Sequence, residues 1–248
     1  MEVQIINELA KKSIDQIKHT ITCAMPHKYE AIKALAKINT AESREALHSL
    51  LSFDDAYIKR FVLEELGNIE SKETLAKIIS NVSKDKNEFL RRTSLSIIEK
   101  QGITSLHGFV AESLKSQDPL TLEYALNAIN QVWRNDDFTA IMELSKKEQN
   151  QDIKKRCYEI LCNHANSSNW QSVYKLIRTN KIPQIRLLAC RLLLDNFSDE
   201  FMSDIKDFAN DQDGHIRKAG SKLSKRNPLG IKKTVPKQKL QDSLIQCH

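Results

Sequence analysis

The stretch that decides the fold is residues 54–69, with the sequence DDAYIKRFVLEELGNI. Its apolar residues recur at helical spacing, so Ile58, Val62 and Leu66 share one face of an amphipathic helix. Asp55 stands just ahead of this face, where a carboxylate can accept hydrogen bonds from the free amides of the first turn. We therefore predict a helix that begins after Asp55.

The same pattern recurs along the chain at intervals of 31 or 32 residues. Aligning the aliphatic position of each later copy gives the register Ile58, Leu90, Leu122, Ile153, Ile185 and Ile216. One step of 31 residues back from Ile58 reaches His27, which heads a segment with the same apolar spacing. A fixed period of this length is typical of a repeat protein, in which each unit completes the core of its neighbours.

A second apolar segment separates each pair of recurring segments, so each unit is predicted to be two helices joined by a short turn. The chain has only six glycines and five prolines, which favours an all-α fold with few long loops. Residues 3–20 are predicted to form one amphipathic helix that caps the first unit. Ser168 and Gln171 have the spacing of a capping box at the start of another first helix.

Composition limits the function classes. Lys and Arg number 38 against 32 Asp and Glu, and the net charge of +6 permits an acidic partner or nucleic acid without requiring either. The five cysteines include no C-x-x-C pair, which favours reduced thiols in an intracellular, cytoplasmic protein. Neither a long apolar run nor a signal-peptide pattern is present. We therefore expect no membrane association.

The composition changes after Arg226. The sequence Asn227-Pro228-Leu229-Gly230 interrupts the last predicted helix, and several lysines follow around Pro236. We predict a repeat domain over residues 1–226 and a basic, disordered tail over residues 227–248.

The pattern Asp55-x-x-Ile58-Lys59-Arg60-x-x-x-x-Glu65-Leu66-Gly67-x-Ile69 resembles the HEAT repeat, in particular the short HEAT-like repeat of phycobilisome lyases. Residues 213–219 repeat its beginning, whereas the fourth unit has Pro119 at the Asp position and Glu123 at the basic position. The resemblance implies an all-α fold, a right-handed α-solenoid (α-α superhelix) of about seven HEAT-like helical hairpins. It says little about activity, because many functions share this scaffold.

A basic residue follows the aliphatic position in six of the seven units. With its basic neighbours this basic column comprises Lys59, Arg60, Arg91, Arg92, Lys154, Lys155, Arg186, Arg217 and Lys218. A cation near a helix N-terminus opposes the helix macrodipole, so its recurrence indicates a specific partner inside or outside the protein. The resemblance implies that second helices line the concave face. The column is then either a ladder of ion pairs with acids of adjacent units, such as Asp55, Asp152 or Asp213, or a ridge that binds an acidic surface or a phosphate backbone.

The resemblance also extends to HEAT-like alkylpurine DNA glycosylases, which hold damaged DNA with tryptophans, an Asp and an Arg. The candidates for such a DNA-base site are Trp133, Asp137, Arg156 and Trp170. Packing at inter-helix turns is the alternative for both tryptophans.

His19, Cys23 and His27 have the spacing of a metal-ligand set, but Pro26 interrupts the helix, so we predict no metal site.

The sequence contains no glycine-rich phosphate loop, no G-x-S-x-G and no H-E-x-x-H motif. We therefore expect a non-catalytic binding scaffold without a cofactor, whose concave ridge of second helices engages an acidic partner protein. One alternative is a HEAT-like DNA-binding protein or alkylpurine DNA glycosylase, with nucleic acid as the partner. Another, from the resemblance alone, is a bilin lyase or its chaperone subunit.

Overall fold

The structure, a computed structural model, describes residues 1–23, 26–84 and 87–225. These residues contain fifteen α-helices, two short 3-10 turns and no β-strand, which confirms the all-α prediction. The helices are α1 (Glu2–Leu9), α2 (Ile14–Thr22), α3 (Lys28–Ile38), α4 (Ala41–Leu50), α5 (Ala56–Ile69), α6 (Lys72–Val82), α7 (Glu88–Gln101), α8 (His107–Ser113), α9 (Pro119–Gln131), α10 (Asp137–Lys147), α11 (Gln151–Asn163), α12 (Trp170–Ile177), α13 (Pro183–Asp195), α14 (Met202–Ala209) and α15 (Gly214–Ser224). The predicted tail, residues 227–248, lies outside the described residues.

After α1, the described helices follow one another as seven consecutive pairs, from α2 with α3 to α14 with α15. The second helix of each pair from α5 onward carries one position of the aliphatic register. All six of these side chains are buried, with at most 5% of their surface exposed: Ile58, Leu90, Leu122, Ile153, Ile185 and Ile216. The predicted register is therefore confirmed, and its residues form the core of the pairs.

Capping side chains determine where most second helices begin. Asp55 accepts hydrogen bonds from the amides of Tyr57 and Ile58 at 2.9 and 3.1 Å, as predicted for an N-cap. The same bonding is made by Asn87, Asn150 and Asp213. In the fourth pair Asp118 is the cap and Pro119 is the first helical residue, a position that suits proline because it needs no amide donor.

The described residues form two compact units. In the first unit, residues 1–160, the second helices α3, α5, α7 and α9 contact one another in sequence. Helix α1 packs on α3 as one more helix in this row, and Lys33 pairs with Glu2 while Lys37 donates to Asn7. Helix α1 therefore extends this row beyond α3.

In the second unit, described from residue 161 to residue 225, α13 contacts α15, and α14 packs closely on α15. Gly220 makes this close approach possible. A Cβ atom at this position would lie 2.4 Å from the backbone nitrogen of Ala209 and 2.5 Å from the carbonyl carbon of Phe208.

Two local predictions are wrong. The chain does not form one helix over residues 3–20, because it turns at residues 10–13 and Ser13 begins α2 with a capping box that includes Gln16. Ser168 does not cap a helix either. Helix α12 begins at Trp170, after Asn169, and has no side-chain cap.

Candidate functional site

A surface groove of about 460 Å³ lies on the second helices α5, α7 and α9. We call it the basic groove, because its charged lining consists of Arg60, Arg92 and Lys100 with the carboxylate of Glu64. Phe89, also in the lining, is 47% exposed. The groove thus combines an excess of cations with apolar surface that the fold leaves in contact with solvent.

A second groove, of about 420 Å³, lies between the starts of α9 and α11. Its charged side chains are the exposed carboxylates of Glu123 and Asp152, so we call it the acidic groove. Leu120 lines both grooves and is 45% exposed. The charge therefore changes sign from one groove to the next, with an exposed aliphatic side chain at the boundary.

Two arginines of the basic column explain why a cation recurs at this position. Nη1 of Arg186 donates to the backbone carbonyls of residues 180–181 at 2.8 and 3.0 Å. Nη1 of Arg217 donates to those of residues 211–212 at 2.8 and 2.7 Å. In both cases the carbonyls precede the arginine by six and five residues, in the turn before its helix. The cation satisfies carbonyls of this turn, which offsets its unfavourable position near a helix N-terminus.

Ion pairs between neighbouring hairpins engage two members of the column. Arg186 makes a bidentate pair with Asp211, with Nε and Nη2 each 2.8 Å from a carboxylate oxygen. These side chains are 17% and 13% exposed, and the guanidinium lowers the pKa of the Asp211 carboxyl. Nη2 of Arg92 lies 2.9 Å from Oδ2 of Asp118 in the next hairpin. The ladder interpretation therefore describes Arg92 and Arg186.

The acids of this ladder are not those that the sequence suggested. Asp55 and Asp213 serve as helix caps, and Asp152 lies in the acidic groove. Other members of the column pair within their own helices: Arg60 with Glu64, Arg91 with Glu88, and Lys155 with Glu159. Lys59 and Lys154 are half-buried and Lys218 is exposed. Among the column residues, the structure brings Arg60 and Arg92 into the basic groove.

Two candidates for the DNA-base site have structural partners. Asp137 is 5% exposed, and each of its carboxylate oxygens lies 2.9 Å from Nε2 of His107. Asp137 also accepts the amide of Arg134 at 2.7 Å. Nε of Arg156 donates to Oδ1 of Asn127 at 2.9 Å. These contacts join neighbouring hairpins and turns of the first unit.

The two tryptophans have different surroundings. Trp170 is buried in an aromatic cluster, with its ring centroid 6.1 Å from that of Tyr174 and 5.3 Å from that of Phe201. The packing alternative describes this residue well. Trp133 is half-buried and follows the end of α9 by two residues.

Sequence reasoning missed a row of exposed apolar side chains. Each occupies the second residue of a second helix, and together they form the apolar row: Tyr29, Tyr57, Phe89 and Leu120. Their exposed fractions run from 41% to 57%. The same position holds polar residues in later second helices: Asp152, Gln184 and His215. Tyr57 and Phe89 directly precede their residue of the aliphatic register, whereas Leu120 lies two residues before Leu122 and Tyr29 two residues after His27. The repeat pattern therefore assigns the four side chains to no common face.

The described residues include no group of three or more His, Cys, Asp or Glu side chains that could hold a metal ion. Burial raises the pKa of the thiols of Cys157 and Cys190 to about 12. Both thiols are therefore protonated at neutral pH, which makes them poor nucleophiles.

Comparisons with known proteins agree with this architecture. Residues 26–99 match the family model of HEAT repeats. A crystal structure of the archaeal HEAT-like repeats protein from Thermococcus onnurineus NA1 is similar over 86% of this chain and 96% of that chain, with a TM-score of 0.53 and 12% sequence identity. A crystal structure of an engineered protein is similar over 85% of this chain and 67% of that one, with a TM-score of 0.52 and 14% identity.

These structural likenesses concern the fold alone. With the family match they confirm the predicted fold class, an α-solenoid of HEAT-like hairpins. No match was found among curated proteins. None of the described helices has the length and apolar character needed to cross a bilayer.

Proposed function

We propose that the chain, whose residues 26–99 match the family model of HEAT repeats, is a non-catalytic scaffold whose second helices bind the acidic surface of a partner protein. Stacked helical repeats present extended surfaces that commonly serve in protein binding. The observation that carries the proposal is the excess of positive charge in the basic groove. Its described lining residues include three cations, Arg60, Arg92 and Lys100, and one carboxylate, Glu64.

Lys100 is the groove cation best placed to receive an acidic side chain. Its ammonium group is exposed and donates to the neutral amide oxygen of Asn68 at 2.7 Å. Arg60 and Arg92 already pair with Glu64 and Asp118. A carboxylate of the partner can therefore pair with Lys100 without breaking a described salt bridge, and the two arginines add to the positive potential around it.

The test is affinity purification of the full chain from extracts of the source cells, with one charge reversal inside the groove and one outside it. We expect wild type and Lys77→Glu to recover a common acidic protein that salt elutes, and Lys100→Glu to recover much less of it. Lys77 is the matched control because it is an exposed lysine on the first helix α6. Equal recovery with both variants would contradict the proposal.

The nucleic-acid alternative predicts binding to duplex DNA that weakens steeply as salt rises above about 50 mM. A protein partner fits the contacts better, because a phosphate chain needs a series of available cations, whereas Arg60 and Arg92 are already paired and Lys100 is the groove cation outside any described salt bridge. An electrophoretic mobility shift at about 50 mM salt that Lys100→Glu abolishes would decide for DNA.

The bilin-lyase alternative predicts chromophore attachment when the chain is co-expressed with a bilin and its acceptor protein.

A further inference from the structure

Three members of the apolar row, Tyr57, Phe89 and Leu120, form a continuous surface with the two grooves. The rings of Tyr57 and Phe89 lie 6.0 Å apart between centroids, and the guanidinium of Arg92 lies 5.6 Å from the centroid of Phe89. Phe89 and Leu120 both line the basic groove, and Leu120 continues into the acidic groove. Contiguous exposed apolar side chains with a charged rim are typical of protein-interaction sites.

The charges on the two sides of Leu120 have opposite sign. The basic groove has Lys100 on α7, which forms no described salt bridge, together with the paired Arg60 and Arg92. The acidic groove has Glu123 and Asp152, both exposed. A ligand that covers both grooves therefore finds complementary partners only if it is acidic at one end and basic at the other.

An α-helix suits this surface better than an extended chain. An extended chain needs backbone partners, but the amides at the starts of α5, α7 and α9 already bond to their caps Asp55, Asn87 and Asp118. A helix satisfies its own backbone and presents only side chains. Neighbouring helix axes lie about 8–10 Å apart, close to the rise of about 10.5 Å over seven helical residues, so apolar anchors fit at every seventh position.

From these observations we propose that Tyr57, Phe89 and Leu120, with the grooves on either side of Leu120, bind one amphipathic α-helix of a partner protein. The bound helix has apolar residues every seventh position, acids toward Arg60 and Arg92, which lie about one helical turn from Tyr57 and Phe89, and bases toward Glu123 and Asp152. The second helices α5, α7, α9 and α11 are separated by three steps of about 9 Å, or about 27 Å in all. A helix of about 18 residues has this length. This inference rests on the proposed function and specifies the class of partner segment.

Base stacking is a poorer explanation of the apolar row. The rings of Tyr57 and Phe89 already lie within the contact range of aromatic pairs, so a base cannot insert between them. Leu120 offers no aromatic surface, and Glu123 and Asp152 repel phosphates.

The experiment uses the full chain and a displayed library of 18-residue helical peptides, in which apolar, acidic and basic positions vary. We expect wild type to enrich peptides with apolar residues every seventh position, acids at one end and bases at the other. Enrichment falls by about tenfold or more on Phe89→Ser/Leu120→Ser, because two anchors are lost. It is unchanged on Gln184→Ser, the matched control at the same helix position of α13. Thermal unfolding of each variant confirms that its fold is retained.

Several results would overturn the inference. Enrichment that survives Phe89→Ser/Leu120→Ser, or enriched peptides that are uniformly acidic without apolar spacing, would exclude the helix and leave the acidic-partner function intact. A single-stranded RNA 12-mer that binds wild type and loses binding on Phe89→Ser/Leu120→Ser would replace the helix with nucleic acid. If no peptide is enriched, the inference is wrong, and purification with Lys100→Glu decides separately whether the proposed function stands.

Discussion

Arg186 makes four described hydrogen bonds, two to the Asp211 carboxylate and two to turn carbonyls. The sequence predicted a specific partner for a cation at this position, but it could not identify Asp211. That acid stands two residues before Asp213, the cap of α15, and its pairing depends on how the next hairpin packs. One side chain thus joins its own turn to the neighbouring hairpin.

Replacing Arg186 by Gln should lower the free energy of unfolding by about 1–3 kcal/mol, because the Asp211 carboxylate loses a charged donor in a largely buried place. Arg186→Lys should restore only part of the loss, since an ammonium group cannot reproduce the bidentate geometry. Urea unfolding measures both. The control is Lys218→Gln, at an exposed position of the same column, whose free energy of unfolding should stay within about 0.5 kcal/mol of wild type. If Arg186→Gln were as mild as Lys218→Gln, Arg186 would not stabilise the contact between hairpins.

The same pair makes stability depend on pH. Arg186 lowers the pKa of Asp211 in the folded state, whereas the unfolded value is about 3.9. A carboxyl with a lowered folded-state pKa contributes stability above the unfolded pKa, and this contribution is lost as pH falls through the folded-state pKa. The stability difference between wild type and Arg186→Gln should therefore be largest near neutral pH and shrink in acid below about pH 3.9. A difference that does not change with pH would contradict this account.

Individual helices follow the sequence where apolar spacing and caps agree. Ile58 and Asp55 predicted α5 correctly, because the buried face and the first amide bonds act on the same segment. The break between α1 and α2 was missed, because apolar residues stand on both sides of residues 10–13, at Leu9 and Ile14, and their spacing hides the cap at Ser13. Apolar spacing therefore predicts where a helix lies. Predicting where a helix is interrupted also requires capping residues such as Ser13 to be recognised.

The contact between α14 and α15 should not tolerate a side chain at Gly220. Gly220→Ala would place its Cβ 2.4 Å from the backbone nitrogen of Ala209, so the helices must separate at a cost of about 1–3 kcal/mol or more. Gly108→Ala is the control, because its Cβ position meets no atom within 4 Å apart from its chain neighbours and the backbone of its own helix, and Ala favours a helix by about 1 kcal/mol. Chemical denaturation should show opposite signs for the two variants, and equal effects would contradict the packing account.

Burial of the repeated core predicts a contrast between two leucines on second helices. Leu66→Ala on α5 removes a fully buried side chain and should cost about 2–5 kcal/mol. Leu120→Ala on α9 removes an exposed side chain and should change stability by no more than about 0.5 kcal/mol. Urea unfolding of both variants tests the assignment, which fails if Leu120→Ala is the more destabilising.

For the molecule as a whole, the 31- to 32-residue period was sufficient to predict repeated helical hairpins, and the resemblance of residues 55–69 to the HEAT repeat implied their type. The basic column was a partial guide to the site, since it contributed Arg60 and Arg92 but not Lys100. Phe89 and Leu120 were missed because exposure depends on the helices packed around a position. A repeat period therefore predicts architecture well, whereas a surface site emerges only when several second helices are placed together.

Site-specific photo-cross-linking tests the central claim, that the basic groove receives a partner protein. A photoreactive residue replaces Ser96, which is exposed in the groove on α7, and in a second variant replaces Lys77 on α6. We predict that Ser96 yields adducts with an acidic protein in extracts of the source cells, that salt suppresses them, and that Lys77 does not yield them. Equal adducts from both positions, or none from Ser96, would contradict the claim.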